Sequence, residues 1–156
     1  MACDQSFHEG ELDRADVRAL LFLHFTEMRA ESPPSACHVL PVDALRDPAI
    51  RFFSLRDRAG ALLGIGALKT LDPDHGEIKS MRTSPSALGK GVGRAILGHL
   101  VANGRAMGMR RLSLETGSSP LFAAANRLYS SEGFERCGPF GTYADTSFTL
   151  FYTRCI

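Results

Sequence analysis

The chain has 156 residues, 44% of them hydrophobic and 22% charged, which describes one globular domain able to bury roughly two-thirds of its unfolded-chain surface. A formal net charge of +1 leaves no electrostatic footprint for nucleic acid or an anionic membrane, and no apolar run approaches a membrane span. Met1 to Gln5 lack the basic and apolar regions of a signal peptide. Cys3, Cys37, Cys137 and Cys155 form no Cys-x-x-Cys or His-paired set, so free thiols in a reducing cytoplasm are expected, without metal or disulfides.

In chain order, Val17, Leu20, Leu21, His24 and Met28 fall at helical spacing and predict an amphipathic helix over Asp16 to Ala30. Ser32-Pro33-Pro34-Ser35 stops it. Asp43 is placed to cap a short turn of helix through Arg46. Ile50 to Arg56 and Ala61 to Leu71 read as strands around a turn at Asp57 to Gly60, and Asp72 to Gly76 is the next turn. A strand at Glu77 to Thr83 leads through a glycine-rich loop into a long helix with Val92, Ile96, Leu100 and Met107 on one face and Gly108 at its end. Arg110 to Thr116 is a strand, and Ser119-Pro120 opens a helix to Ser131, ended by Gly133. Ser147 to Arg154 is the last strand. The order is mixed α/β, in a single domain over residues 1–156. Arg46, Arg51, Arg56 and Arg58 read as solvated charge, and the last strand or the Phe52-Phe53 region could pair subunits in a homodimer.

The loop between strand and long helix is the most informative segment. Gly89, Gly91 and Gly93 alternate with Lys90, Val92 and Arg94. Glycine lets backbone approach a ligand closely, and a helix start aims unpaired N–H groups and a positive dipole end at whatever lies before it. That combination suits a phosphate or pyrophosphate. Walker A fails, because Ser84 stands where its first Gly belongs and Gly91 where its Ser or Thr belongs; G-x-G-x-x-G fails at Arg94 and Ile96. A tight turn into a helix, with no ligand, stays open on the loop alone.

Leu88 to Gly93 fits Arg/Gln-x-x-Gly-x-Gly/Ala apart from Leu88, and so resembles the coenzyme A pyrophosphate loop of the GNAT superfamily of N-acetyltransferases. Three further segments carry the resemblance over most of the chain: Glu77-Ile78-Lys79-Ser80-Met81, Leu112-Ser113-Leu114-Glu115-Thr116-Gly117, and Ala125-Asn126-Arg127-Leu128-Tyr129 ahead of Gly133-Phe134. With Ser32-Pro33-Pro34 and Cys137-Gly138-Pro139-Phe140, the chain is similar to a bacterial YsnE-like subgroup. The resemblance implies a central, mostly antiparallel sheet splayed in the middle and flanked by helices. It implies acetyl-CoA as co-substrate, with Leu88, Gly89, Lys90, Gly91, Val92, Gly93 and Arg94 around the pyrophosphate. Met81, Arg82 and Thr83 on the splayed strand, with Asn126 and Tyr129, would then meet the pantetheine arm, and a backbone N–H near Met81 or Arg82 would receive the oxyanion.

Acyl transfer to an amine needs a base for the ammonium and an acid for the leaving thiolate. By resemblance Tyr129 is the acid; packing in an apolar face with Leu121, Ala125 and Leu128 is its structural alternative. Glu77 and Glu115, on strands expected to be neighbours, are the candidate bases, with Glu77 preferred; an ion pair from Glu77 to Lys79 is the competing reading. His24 and His38 are candidates on the acceptor side, each open to a plain structural role. The acceptor is expected to be a small-molecule or peptide amine, and a non-catalytic acyl-CoA-binding module is the alternative function, with Leu88 the residue that favours it.

Overall fold

The computed structural model describes residues 4–156; Cys3 lies outside them. Seven strands form one sheet in the order β1-β2-β3-β4-β5-β7-β6. They are β1 (Ser6–Glu9), β2 (Ile50–Arg56), β3 (Leu62–Asp72), β4 (His75–Thr83), β5 (Arg111–Gly117), β6 (Glu135–Cys137) and β7 (Thr149–Cys155). Every pair is antiparallel except β4 with β5. Three helices, α1 (Ala15–Glu31), α2 (Val92–Ala106) and α3 (Ala123–Ser131), flank the sheet. This is the mixed, mostly antiparallel architecture expected from the sequence. Strands β1 and β6 escaped the sequence reading because they are short and mostly exposed, so neither carries a two-residue apolar alternation.

Each face of the sheet has its own helix and core. On one face α1 sets Val17, Leu20 and Leu21 against Phe52, Ile65 and Ala67, with Leu45 filling in. On the other, α2 sets Val92, Ile96, Leu97, Leu100 and Val101 against Phe53, Leu55, Leu68, Ile78, Leu112 and Leu114. Burying each such side chain contributes roughly 1.5–3 kcal/mol. Helix α2 lies close on β3 because Gly64 and Gly66 have no Cβ; one added at Gly66 would stand 2.6 Å from an Ile96 methyl.

The interruption of pairing between β4 and β5 positions the site. Their parallel ladder runs only through His75↔Arg111, Gly76↔Leu112 and Glu77↔Ser113. Beyond it β4 continues to Thr83 and β5 to Gly117, so the sheet opens into a wedge, the splay that the resemblance implied. Strand β4 also carries a bulge: Ala67 pairs with Lys79 and Ile65 with Arg82, leaving Ser80 and Met81 opposite Gly66. Ser80 takes φ 55° there, an uncommon conformation for a residue with a Cβ.

Several expectations are corrected. Arg56 is buried: its guanidinium bonds Glu11 (2.9 Å), Asp16 (2.5 and 3.0 Å) and the Gly60 carbonyl (3.0 Å), pinning the start of α1 to β2. Arg51 pairs with Glu9, while Arg46, paired with Asp13, and Arg58 are exposed, as expected of solvated charge. Met107 follows the last turn of α2 and is exposed, as is Leu121. The Ser119-Pro120 segment forms a 3₁₀ turn (Pro120–Phe122) before α3 begins, and the Ser119 hydroxyl makes no cap. Pro41, not Asp43, precedes the 3₁₀ turn Val42–Arg46. β5 pairs β7 along its length and β6 pairs it over Phe151–Thr153, while Phe52 and Phe53 are buried. Cys37, Cys137 and Cys155 are free thiols. Among the described residues no helix is long and apolar enough to cross a membrane, and no group of three or more His, Cys, Asp or Glu could hold a metal.

Candidate active site

A cleft of about 840 Å³ occupies the wedge. At one end lies the glycine loop. Gly89 and Gly91 adopt φ of 74° and 79°, left-handed conformations that cost an L side chain roughly 1–2 kcal/mol, and Gly91 directly precedes α2. The first helical bond runs from Ala95 N–H to Gly91 C=O, so the N–H groups of Val92, Gly93 and Arg94 have no helical acceptor, and Gly93 and Arg94 line the cleft. Gly93 serves packing as well, since a Cβ there would stand 3.1 Å from Leu128 on α3. Arg94 is turned to α3, where its Nε lies 2.6 Å from Glu132. Leu88 is exposed on the rim.

Of the coenzyme candidates, Met81, Arg82, Thr83, Leu88, Gly89, Gly91, Gly93, Arg94 and Tyr129 line this cleft; Lys90, Val92 and Asn126 do not. Asn126 donates from Nδ2 to the Gly117 carbonyl (3.1 Å), while its Oδ1 is buried without a partner. The side chain of Val92 belongs to the core, which leaves only its backbone N–H for a ligand.

Tyr129 reaches the cleft from α3, its ring held at 5.9 Å from Tyr152 and 6.3 Å from Phe134. Burial, then the nearby Glu115 charge, pushes its hydroxyl up to about 12, so it holds its proton at any working pH. Tyr129 belongs to the core and also borders the cleft.

The two carboxylates stand on the α1 face. Lys79 pairs with Ala67, which is packed against α1, and Glu77 and Glu115 follow at the two-residue period on that face. Glu77 is buried and engaged through one oxygen: its Oε2 accepts from Lys79 Nζ (3.3 Å) and from the Tyr143 hydroxyl (2.5 Å). Glu115 is held differently. Burial pushes its carboxyl up to about 7, against the pull of Lys79 and with a further push from Glu77. A carboxyl near 7 can take a proton at neutral pH.

His24 and His38 both line the cleft. Burial, helped by the Arg82 charge, lowers His24 to about 4, so it is neutral and a weak base; its Nδ1 is buried without a partner. Arg82 beside it forms an ion pair with Glu27. His38 is lowered as well, by burial and then by Lys79. Tyr143 is the residue that sequence reasoning missed. It sits in an irregular loop 66 residues from Glu77, and no local periodicity ties it to a strand it meets only in the fold.

The geometry has relatives. Residues 15–134 match the acetyltransferase (GNAT) family model. The chain is 44% identical over 144 residues to the uncharacterized N-acetyltransferase YsnE of Bacillus subtilis (strain 168), covering 92% of this chain and 95% of that one. It is also 44% identical over 133 residues to the uncharacterized N-acetyltransferase YedL of Escherichia coli (strain K12), covering 85% and 83%. A GNAT family acetyltransferase from Elizabethkingia anophelis, solved with acetyl-CoA bound, superposes with a TM-score of 0.73 over 98% of this chain and 99% of that one, at 14% identity. This chain belongs to the GNAT acetyltransferase family.

Proposed function

We propose that the chain moves an acetyl group from acetyl-CoA to a primary amine by direct attack in a ternary complex. The observation that carries this is the wedge between β4 and β5, which joins a helix start with free N–H groups to a carboxyl poised near 7. The pyrophosphate lies on the Gly89–Gly93 backbone, and the pantetheine arm runs along the unpaired edge of β4. The acceptor ammonium gives its proton to Glu115, directly or through a water. Glu115 is assigned this role in place of Glu77, because Lys79 and Tyr143 both bond one Glu77 oxygen and stabilise its carboxylate while burial makes Glu115 the readier proton acceptor. The freed nitrogen attacks the thioester carbonyl, and the oxyanion is received by a backbone N–H at the Ser80–Met81 bulge. Collapse breaks the C–S bond as Tyr129 hands its proton to the sulfur, and the second proton that the attacking nitrogen sheds on becoming an amide returns, through water, to the Tyr129 oxygen. The thiolate is a fair leaving group with a reference pKa of about 8.5, so this help is modest. The cytoplasm, which keeps thiols such as Cys37 reduced, is the compartment proposed.

The test is thiol release from acetyl-CoA across a panel of amines by the parent and by Tyr129→Phe. The variant keeps the ring and its packing, so coenzyme affinity should hold while turnover falls roughly ten- to a thousandfold. Parent-like turnover makes Tyr129 packing alone. Acetyl-CoA binding with no thiol release from any amine would leave a non-catalytic acyl-CoA-binding module.

A further inference from the structure

Two loops come together at Glu77 and Lys79 of the cleft: the one between α1 and β2, whose His38 lines the cleft, and the one between β6 and β7, whose Tyr143 bonds both residues. They touch. The His38 ring meets the Tyr143 ring edge to face, centroids 4.9 Å apart at 74°. Below that contact the Tyr143 hydroxyl accepts from Lys79 Nζ (2.8 Å) and donates to Glu77 (2.5 Å). Behind it the ring packs on Phe140 (5.2 Å) and on Phe151 (5.8 Å), the residue paired with Glu115 across β5 and β7. Tyr143 is therefore fixed from three sides: by the buried Glu77 carboxylate, by an aromatic cluster and by the opposite loop. Two charge-assisted hydrogen bonds hold more firmly than ordinary ones, so the arrangement is preorganised.

We propose that the His38–Tyr143 contact is a bridge across the acceptor end of the cleft that restricts the acceptor to a small molecule bearing a primary amine and shuts out a polypeptide. A polypeptide needs an open groove on both sides of the reacting nitrogen, because its chain continues in two directions from a lysine and its neighbouring residues follow from an N-terminus. Here His38 of the cleft wall meets Tyr143, which is itself bonded to Glu77 and Lys79 of the cleft, so the two loops join over the β4 residues next to the proposed base. A small amine needs only the recess lined by His24, Met28, His38 and Glu115. The proposal rests on the transferase reading and narrows its acceptor.

The experiment compares kcat/KM, by thiol release from acetyl-CoA, for small primary amines and amino acids and for hexapeptides presenting the same amine at a lysine or at the N-terminus. The parent should favour the best small amine by about a hundredfold or more, a discrimination that steric exclusion can supply. Tyr143→Ala, which opens the bridge, should shrink that preference about tenfold, chiefly by lowering KM for the peptides. Tyr143→Phe keeps the ring and should keep the preference, whatever the loss of the two hydrogen bonds does to kcat. His38→Ala opens the bridge from the other loop and replaces Tyr143→Ala if that variant does not fold. Equal use of peptides and small amines by the parent overturns the proposal, as does a preference that both alanine variants leave intact. No thiol release from any acceptor overturns the transferase reading and this proposal with it, an outcome distinct from efficient release with peptides.

Discussion

Glu115→Gln removes a charge that folding holds at a cost, and the size of the effect follows from the site. The carboxyl is pushed from 4.5 up to about 7, burial being the main cause. At about 1.36 kcal/mol per pH unit that gap corresponds to roughly 3 kcal/mol. The sign is set by proton binding, which the folded state does more tightly than the unfolded chain. Below pH 4.5 both states are protonated and Glu115 costs nothing. Between 4.5 and about 7 the folded state keeps a proton that the unfolded chain releases, so the parent loses stability as pH rises. Above about 7 the loss is complete. The nearly isosteric, uncharged variant should therefore match the parent at pH 4 and exceed it by about 3 kcal/mol at pH 8, a difference on the order of 10 °C in Tm for a chain of this size. Urea unfolding of both proteins across that range reads it directly. The same variant should lose the rise of parent kcat/KM through pH 7. A variant offset that is the same at pH 4 and pH 8, or no gain at pH 8, would refute the placement of an unpaired, desolvated carboxyl in the cleft.

Acetyl-CoA at a hundred times its dissociation constant should stabilise the parent by about 2.7 kcal/mol, with ATP and NAD far less effective in the same thermal-shift assay. Gly91→Val should abolish that shift, because a β-branched residue resists the φ of 79° and crowds the backbone a pyrophosphate would approach; an undiminished shift removes the loop from the binding account. Arg56→Ala leaves the largely buried Glu11 without its partner, while the half-exposed Asp16 can turn to solvent, and should cost about 3 kcal/mol in urea unfolding at pH 7. Asp16 is held below its ordinary range by its hydrogen bond from Arg56, so part of the parent's stability is present above pH 4 and lost as pH falls, a loss the variant should not show.

Much of the site was legible along the chain because its signals are local. The glycines ahead of α2 mark positive φ within a few residues, the α2 stripe repeats every turn, and Tyr129 follows Ala125 by one helical turn. Helix and strand periods are backbone properties, so they can be read without knowing what packs on what. The tertiary structure alone decided the rest. The Lys79 partner of Glu77 could be read two residues along the strand, but the Tyr143 bond, from a loop 66 residues on, and the burial that raises Glu115 could not. Arg56 looks like any surface arginine until Glu11 and Asp16 close over it. A charge's environment depends on partners distant in sequence, and periodicity carries no record of them.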